Sequence, residues 1–222
     1  MTGVTVGYFI FDMDGTLLDS IKIWHESEER ILQGAHVELS KDERDQVNAL
    51  TLEEAAAFFH ERFGIGEDPN AVVHAIIDNM LDFYTNEVEA NPGAISFVRA
   101  VYETGATLCV LSSSPQAFLQ AGLGHVGLKR YFPDELIISA EDIGLVKRDP
   151  ATFTYLLDKL GSDAADTWLF DDSWYALKTA HDVGLRTVGV FSADACGTHE
   201  ELARFSEIVV DDFTELSLEQ FV

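Results

Sequence analysis

Hydrophobic positions in this chain follow two different periods, and the period changes at two places. The run Tyr8-Phe9-Ile10-Phe11 is unbroken and stops at Asp12-Met13-Asp14-Gly15-Thr16, which reads as a buried strand emptying into a loop. From residue 18 to residue 90 the spacing is helical. Asp19-Ser20 is predicted to cap a helix reaching about His36, with Ile23, Trp24, Ile31 and Leu32 on its apolar side. Ser40-x-x-Glu43 and Thr51-x-x-Glu54 have capping-box spacing and start two more helices, the second closed by Gly64. Asp68-Pro69 opens a fourth, on which Val72, Val73, Ile76, Ile77, Met80, Leu81 and Tyr84 repeat as far as about Glu89.

Asn91-Pro92-Gly93 breaks this run, and strands then alternate with helices. The pattern predicts a helix over 94–103, a strand over 107–111, a helix over 115–124 and a strand over 135–139. A helix over 150–160, a strand over 167–170, a helix over 174–183 and a strand over 186–191 follow; Thr198-x-x-Glu201 caps a short helix before a last strand at 207–210. Repeated βα units of this kind imply an α/β fold, a doubly wound, mostly parallel Rossmann-like sheet. The expected domains are a core of residues 1–17 and 91–222 and a helical cap of residues 18–90. Inserted directly after the first strand, the cap is expected over the strand ends, excluding water during chemistry and hinging at its two connections.

Composition narrows the classes. A chain of 222 residues that is 47% hydrophobic can bury a proper core. Its 39 acids against 14 bases give a formal charge of -25, which argues against nucleic acid as a partner. A phosphorylated ligand would need a local reversal of that field, through a divalent cation, a placed lysine or backbone N–H groups. No stretch approaches the roughly 18 consecutive apolar residues of a membrane span, and there is no basic leader; a cytoplasmic, soluble protein and a monomer are expected. Cys109 sits in an apolar run and Cys196 in a polar loop, a spacing that suits neither zinc nor a disulfide framework.

The candidate chemistry gathers at predicted strand ends. Asp12 and Asp14 lie one residue apart where the first strand opens, so one can attack while the other moves a proton. Ser112-Ser113-Ser114-Pro115 follows the strand at 107–111, where hydroxyl and N–H groups can hold phosphate oxygens. Lys147-Arg148 offers a cation, and Asp171-Asp172 repeats the acidic strand end after Trp168-Leu169-Phe170. Each motif alone has an ordinary structural explanation in capping or solvation.

Taken in order, the four motifs resemble those of the haloacid dehalogenase superfamily, in its phosphatase branch with a helical cap. The segment Lys147-Arg148-Asp149-Pro150-Ala151-Thr152-Phe153 is similar to that family's Gly-Lys-Pro-x-Pro-Asp-x-Phe, but Val146, Arg148 and Ala151 replace its Gly, first Pro and Asp. The resemblance implies a magnesium-dependent phosphomonoesterase acting on a small phosphorylated metabolite through an aspartyl phosphate. It assigns Asp12 as nucleophile, Asp14 as acid and base, and Asp12, Asp14, Asp171 and Asp172 to Mg2+. Ser112, Ser113, Lys147, Gly15 and Thr16 would bind or frame the phosphate, and Lys147 is favoured over Arg148 as the cation. Trp24, His25, Asn48 and Thr51 fall where this subgroup reads its substrate. Between residues 18 and 90 there are 17 acids and 5 bases, so a neutral leaving group is expected, as in a sugar or polyol monophosphate. A beta-phosphoglucomutase-type mutase is the nearest alternative, weakened by Trp24 and Leu52 at its cap histidine and arginine positions. A catalytically silent phosphate-binding regulator is the other.

Overall fold

The computed structural model describes residues 7–47, 52–192 and 197–221. Its elements run β1 (Tyr8–Phe11), α1 (Ile23–Gly34), α2 (Lys41–Val47), α3 (Leu52–Phe63), α4 (Pro69–Asn86), α5 (Ala94–Glu103), β2 (Thr107–Ser112), α6 (Gln116–His125) and β3 (Ile137–Ser139). They continue with α7 (Pro150–Leu160), β4 (Thr167–Asp171), α8 (Trp174–Val183), β5 (Arg186–Val190), α9 (His199–Ala203) and β6 (Ile208–Val210). The chain divides into two compact units, one running through Ile21 and resuming at Val88, the other Lys22–Glu87.

In the larger unit the strands form one sheet in the order β3-β2-β1-β4-β5-β6, and every neighbouring pair is parallel. The chain winds outward from β1 through β2 and β3, then returns to β4 on the other side of β1 and winds outward again. That reversal between β1 and β4 is where an open parallel sheet leaves a crevice at its carboxyl ends. Side chains alternate across the sheet. Ile10, Cys109, Leu111, Ile138 and Leu169 pack with Phe153 and Leu156 of α7 and Ala180 of α8. Phe9, Phe11 and Phe170 face the other way, Phe11 and Phe170 stacked with ring centroids 4.7 Å apart. Phe97 of α5 and Phe213 and Phe221 of the C-terminal turns complete this aromatic layer. The smaller unit packs α1 and α3 against α4 around Ile23, Leu32, Phe59, Val72, Ile76, Met80 and Tyr84.

Local signals account for most element ends. Asp68 accepts the Ala71 N–H at 2.8 Å at the start of α4, Asp149 accepts the Ala151 N–H at the start of α7, and Thr198 and Glu201 make both bonds of a capping box. Ser40 and Glu43 do the same before α2. One expected cap is corrected. Helix α1 starts at Ile23 behind Lys22, with no side-chain cap, and ends at Gly34 rather than near His36. The Ser20 hydroxyl is directed elsewhere, onto Asp14. The strand expected over 135–139 is shortened to β3 because residues 134–136 form a 3-10 turn. Thr51, the second expected cap, lies outside the described residues.

Candidate active site

The loop after β1 is held in a narrow geometry. Asp12 keeps its backbone tied to β4, its N–H donating to Phe170 O at 2.9 Å. Met13 O accepts from Leu18 N, Leu18 O accepts from Gly15 N, and the Asn91 amide donates to the carbonyls of Gly15 and Thr16 at 3.0 and 2.6 Å. Gly15 adopts φ +77°, and a Cβ there would lie 2.1 Å from Asp172 Oδ2, so the loop needs glycine for both reasons. Through this turn Asp12 remains against β4 while Asp14 reaches the end of β2.

Four charged side chains meet at the ends of β1 and β4. Lys147, 5% exposed, places Nζ 2.5 Å from Asp12 Oδ1 and 2.8 Å from Asp171 Oδ2. Asp171 Oδ1 accepts the Ser173 N–H at 2.9 Å, so both of its oxygens are engaged. Asp172 accepts from Ser173 Oγ at 3.2 Å. One oxygen each of Asp12, Asp171 and Asp172 lies within 4.8 Å of the others.

The cluster carries three carboxylates and one ammonium, and ionisation follows from that excess. Burial pushes the Asp12 carboxyl well above its ordinary value; Lys147 lowers it in part, and Asp171, Asp172 and Asp14 raise it further. Burial, then Asp171, push Asp172 up to about 7. For Lys147 burial opposes the charge, but Asp12 and Asp171 outweigh it and hold the ammonium's pKa above its ordinary value. The opposite fortunes of the two partners, Asp12 and Lys147, have one cause: the ammonium meets only opposite charge, whereas each carboxylate also meets its own kind. Hard oxygen donors, buried and carrying surplus negative charge, fit a magnesium ion.

Asp14 sits in a different setting. Ser20 Oγ donates to its Oδ1 at 2.6 Å, and Ser112 Oγ and Ser114 Oγ donate to its Oδ2 at 3.1 and 2.6 Å. Ser112 also accepts the Ser114 N–H at 3.0 Å. Ser113 is exposed, and Thr16 is fully buried with no hydrogen-bond partner for its hydroxyl among the described residues. Arg148 turns away from the carboxylates and lies over the Tyr175 ring, 4.3 Å from its centroid. Lys147 therefore occupies the position between the acids.

Sequence reasoning did not pick out four neighbours. Ser20 was expected as a cap, Asn91 as part of a chain break, Ser114 as one of a serine run, and Tyr175 as an ordinary helix residue. Only the serine run signalled hydroxyl chemistry. Trp24 and His25 lie on α1, but their side chains are not among those described, and Asn48 and Thr51 fall outside the described residues.

A sequence profile for haloacid dehalogenase-like hydrolases matches residues 9–190. The chain is 28% identical over 185 residues to the 6-phosphogluconate phosphatase of Escherichia coli K12, covering 83% of this chain and 81% of that protein. It is 29% identical over 147 residues to a phosphoglycolate phosphatase of Rhodobacter capsulatus, covering 64% of this chain and 65% of that protein. A Thermotoga maritima crystal structure named as a candidate beta-phosphoglucomutase superposes with a TM-score of 0.83 at 19% identity, over 97% of this chain and 99% of the other. Among the described residues no helix is long and apolar enough to cross a membrane.

Proposed function

This chain belongs to the haloacid dehalogenase-like hydrolases, as a phosphatase of that family, and we propose that it hydrolyses a small sugar or polyol monophosphate with magnesium through an aspartyl phosphate. The observation that carries the reading is the buried cluster of Asp12, Lys147, Asp171 and Asp172, with Asp14 two residues from Asp12 and hydrogen-bonded apart from it.

Asp12 attacks phosphorus in line, and its new O–P bond forms as the ester O–P bond breaks. Asp14 gives its proton to the departing oxygen, then takes one from the water that cleaves the aspartyl phosphate. Ser20, Ser112 and Ser114 suit both states, since a hydroxyl that donates to a carboxylate also accepts from a carboxylic acid. Lys147 binds non-bridging oxygens and offsets repulsion between Asp12 and the phosphoryl group, and Ser112 adds a donor to them while Asp14 is protonated and leaves the Ser112 proton free. Asp12, the Asp14 carbonyl and Asp172 would hold the ion, with Asp171 as their support because both its oxygens are already engaged. When bound, magnesium supplies positive charge beside the attacking carboxylate and the phosphoryl oxygens.

The 17 acids and 5 bases of residues 18–90 favour a neutral hydroxylated leaving group over a second phosphate or a carboxylate. Trp24, His25, Asn48 and Thr51 supply the stacking and neutral hydrogen bonds in this reading. The test is phosphate release across a panel of phosphomonoesters with magnesium. Hexose or polyol monophosphates should show the higher kcat/KM, Asp12→Asn should abolish turnover with the circular dichroism spectrum unchanged, and hexose 1- and 6-phosphates should not interconvert. Full activity in excess chelator would remove the phosphatase reading. A bisphosphate or phosphoglycolate as best substrate by a wide margin would overturn the substrate assignment and leave the core chemistry standing.

A further inference from the structure

The turn that delivers Lys147 lacks the residues its resemblance leads one to expect, with Val146 and Arg148 in place of Gly and Pro. Proline would restrict that turn through its own ring. Here the restriction must come from contacts. On one flank Val146 O accepts from Asp149 N at 2.9 Å and from Thr152 Oγ1 at 2.6 Å, which fastens the turn to α7. On the other flank the Arg148 guanidinium lies over the Tyr175 ring, 4.3 Å from its centroid. Tyr175 is the second residue of α8, and the loop leading into that helix carries Asp172. Trp174 meets the Tyr175 ring edge-on, with centroids 6.0 Å apart and planes at 84°, and so backs the platform. The stack therefore joins the same two segments that the Lys147–Asp171 ion pair joins inside the site.

We propose that the Arg148–Tyr175 stack is a positioning clamp: it holds the Lys147 turn against the Asp171-Asp172 loop, so that the ammonium stays between Asp12 and Asp171. Neither residue touches the reacting atoms in this account. An ammonium carried on a free turn would swing with its backbone, and the stack gives the turn a second hold besides its bonds to α7. The inference rests on the phosphatase reading above.

The experiment compares wild type with R148A, Y175A, Y175F and the R148A/Y175A double variant, on nitrophenyl phosphate and on the best sugar phosphate. An exposed cation–π contact supports a fall in kcat of about two- to fivefold. R148A and Y175A should each show it, equally on both substrates, the double variant should be no worse than either single one, and Y175F, which keeps the ring, should stay close to wild type. Hydrogen exchange at the Asp149 amide should quicken in R148A and Y175A but not in Y175F. A rise in KM confined to the sugar phosphate would make Arg148 a substrate-binding residue and overturn the clamp. So would additive losses in the double variant, or unchanged kcat and exchange in R148A. Absence of wild-type phosphatase activity would instead sink the functional reading on which the clamp depends.

Discussion

Replacing Lys147 with methionine removes the single ammonium from the cluster while keeping a side chain of similar volume. Lys147 lies 2.5 Å from Asp12 and 2.8 Å from Asp171, and all three are buried. Deleting one member of a buried ion pair strands its partner, which costs about 3–5 kcal/mol. The three carboxylates left behind repel as well; at 4.8 Å a pair of unit charges is worth roughly 3 kcal/mol at an effective dielectric of about 20. Protonation limits the damage. The folded-state pKa of Asp172 is already about 7 against 3.8 for the unstructured group, so between those values the folded protein binds more protons than the unfolded one. Stability therefore falls as pH rises through that window, and the variant, with pKa values higher still, loses more at pH 8 than at pH 5.5. In chelator at pH 8, with a urea m-value of about 2–3 kcal/mol/M, the midpoint should drop by about 1–2.5 M. Millimolar magnesium should recover a larger share in the variant than in wild type, because a divalent cation supplies the missing charge. Turnover should stay at least about 10²-fold down even with magnesium, for want of a donor to the transition-state oxygens. Coincident urea midpoints for the two proteins in chelator at pH 8 would show that Lys147 does not balance this site.

Three further outcomes follow from the same geometry. Gly15→Ala must fit a methyl 2.1 Å from Asp172 Oδ2 at φ +77°, so titration should show a much weakened magnesium requirement curve and activity reduced on the order of 10², with helix content unchanged; an unaltered magnesium titration would refute it. Magnesium affinity of wild type should weaken as pH falls below about 7, by up to about tenfold per unit, because a proton on Asp172 must then be displaced; calorimetry showing equal affinity at pH 5.5 and 8 would contradict the shift. The Cys109 thiol, pushed up to about 12 by burial, should resist Ellman's reagent at pH 8 in a Cys196→Ser background until denaturant is added, and prompt labelling would show the sheet open there.

Much of this protein is written in short stretches of its sequence. Asp68, Asp149, Ser40 and Thr198 cap their helices as their spacing requires, since a cap is settled by bonds spanning two or three residues. The apolar runs read at 8–11, 107–111 and 167–170 become buried parallel strands, the latter two one residue longer, because only a two-faced core accommodates such runs. Acids mark the crevice at two of these ends, Asp12 directly after β1 and Asp171-Asp172 where β4 closes, and serines mark the third. Side-chain partnership across the site was not readable. Ser20 has every local mark of a helix cap, yet its hydroxyl turns to Asp14; Ser112 reaches that same carboxylate across 98 residues of chain. Whether Lys147 or Arg148 faces the acids could not be decided from two adjacent cations either. It depends on where the turn lands, with Tyr175 on one side to take the guanidinium and Asp12 and Asp171 on the other to take the ammonium. Periodicity and capping act over a few residues and survive in any fold, whereas these pairings exist only once β1 and β4 lie side by side, which is a property of the sheet order.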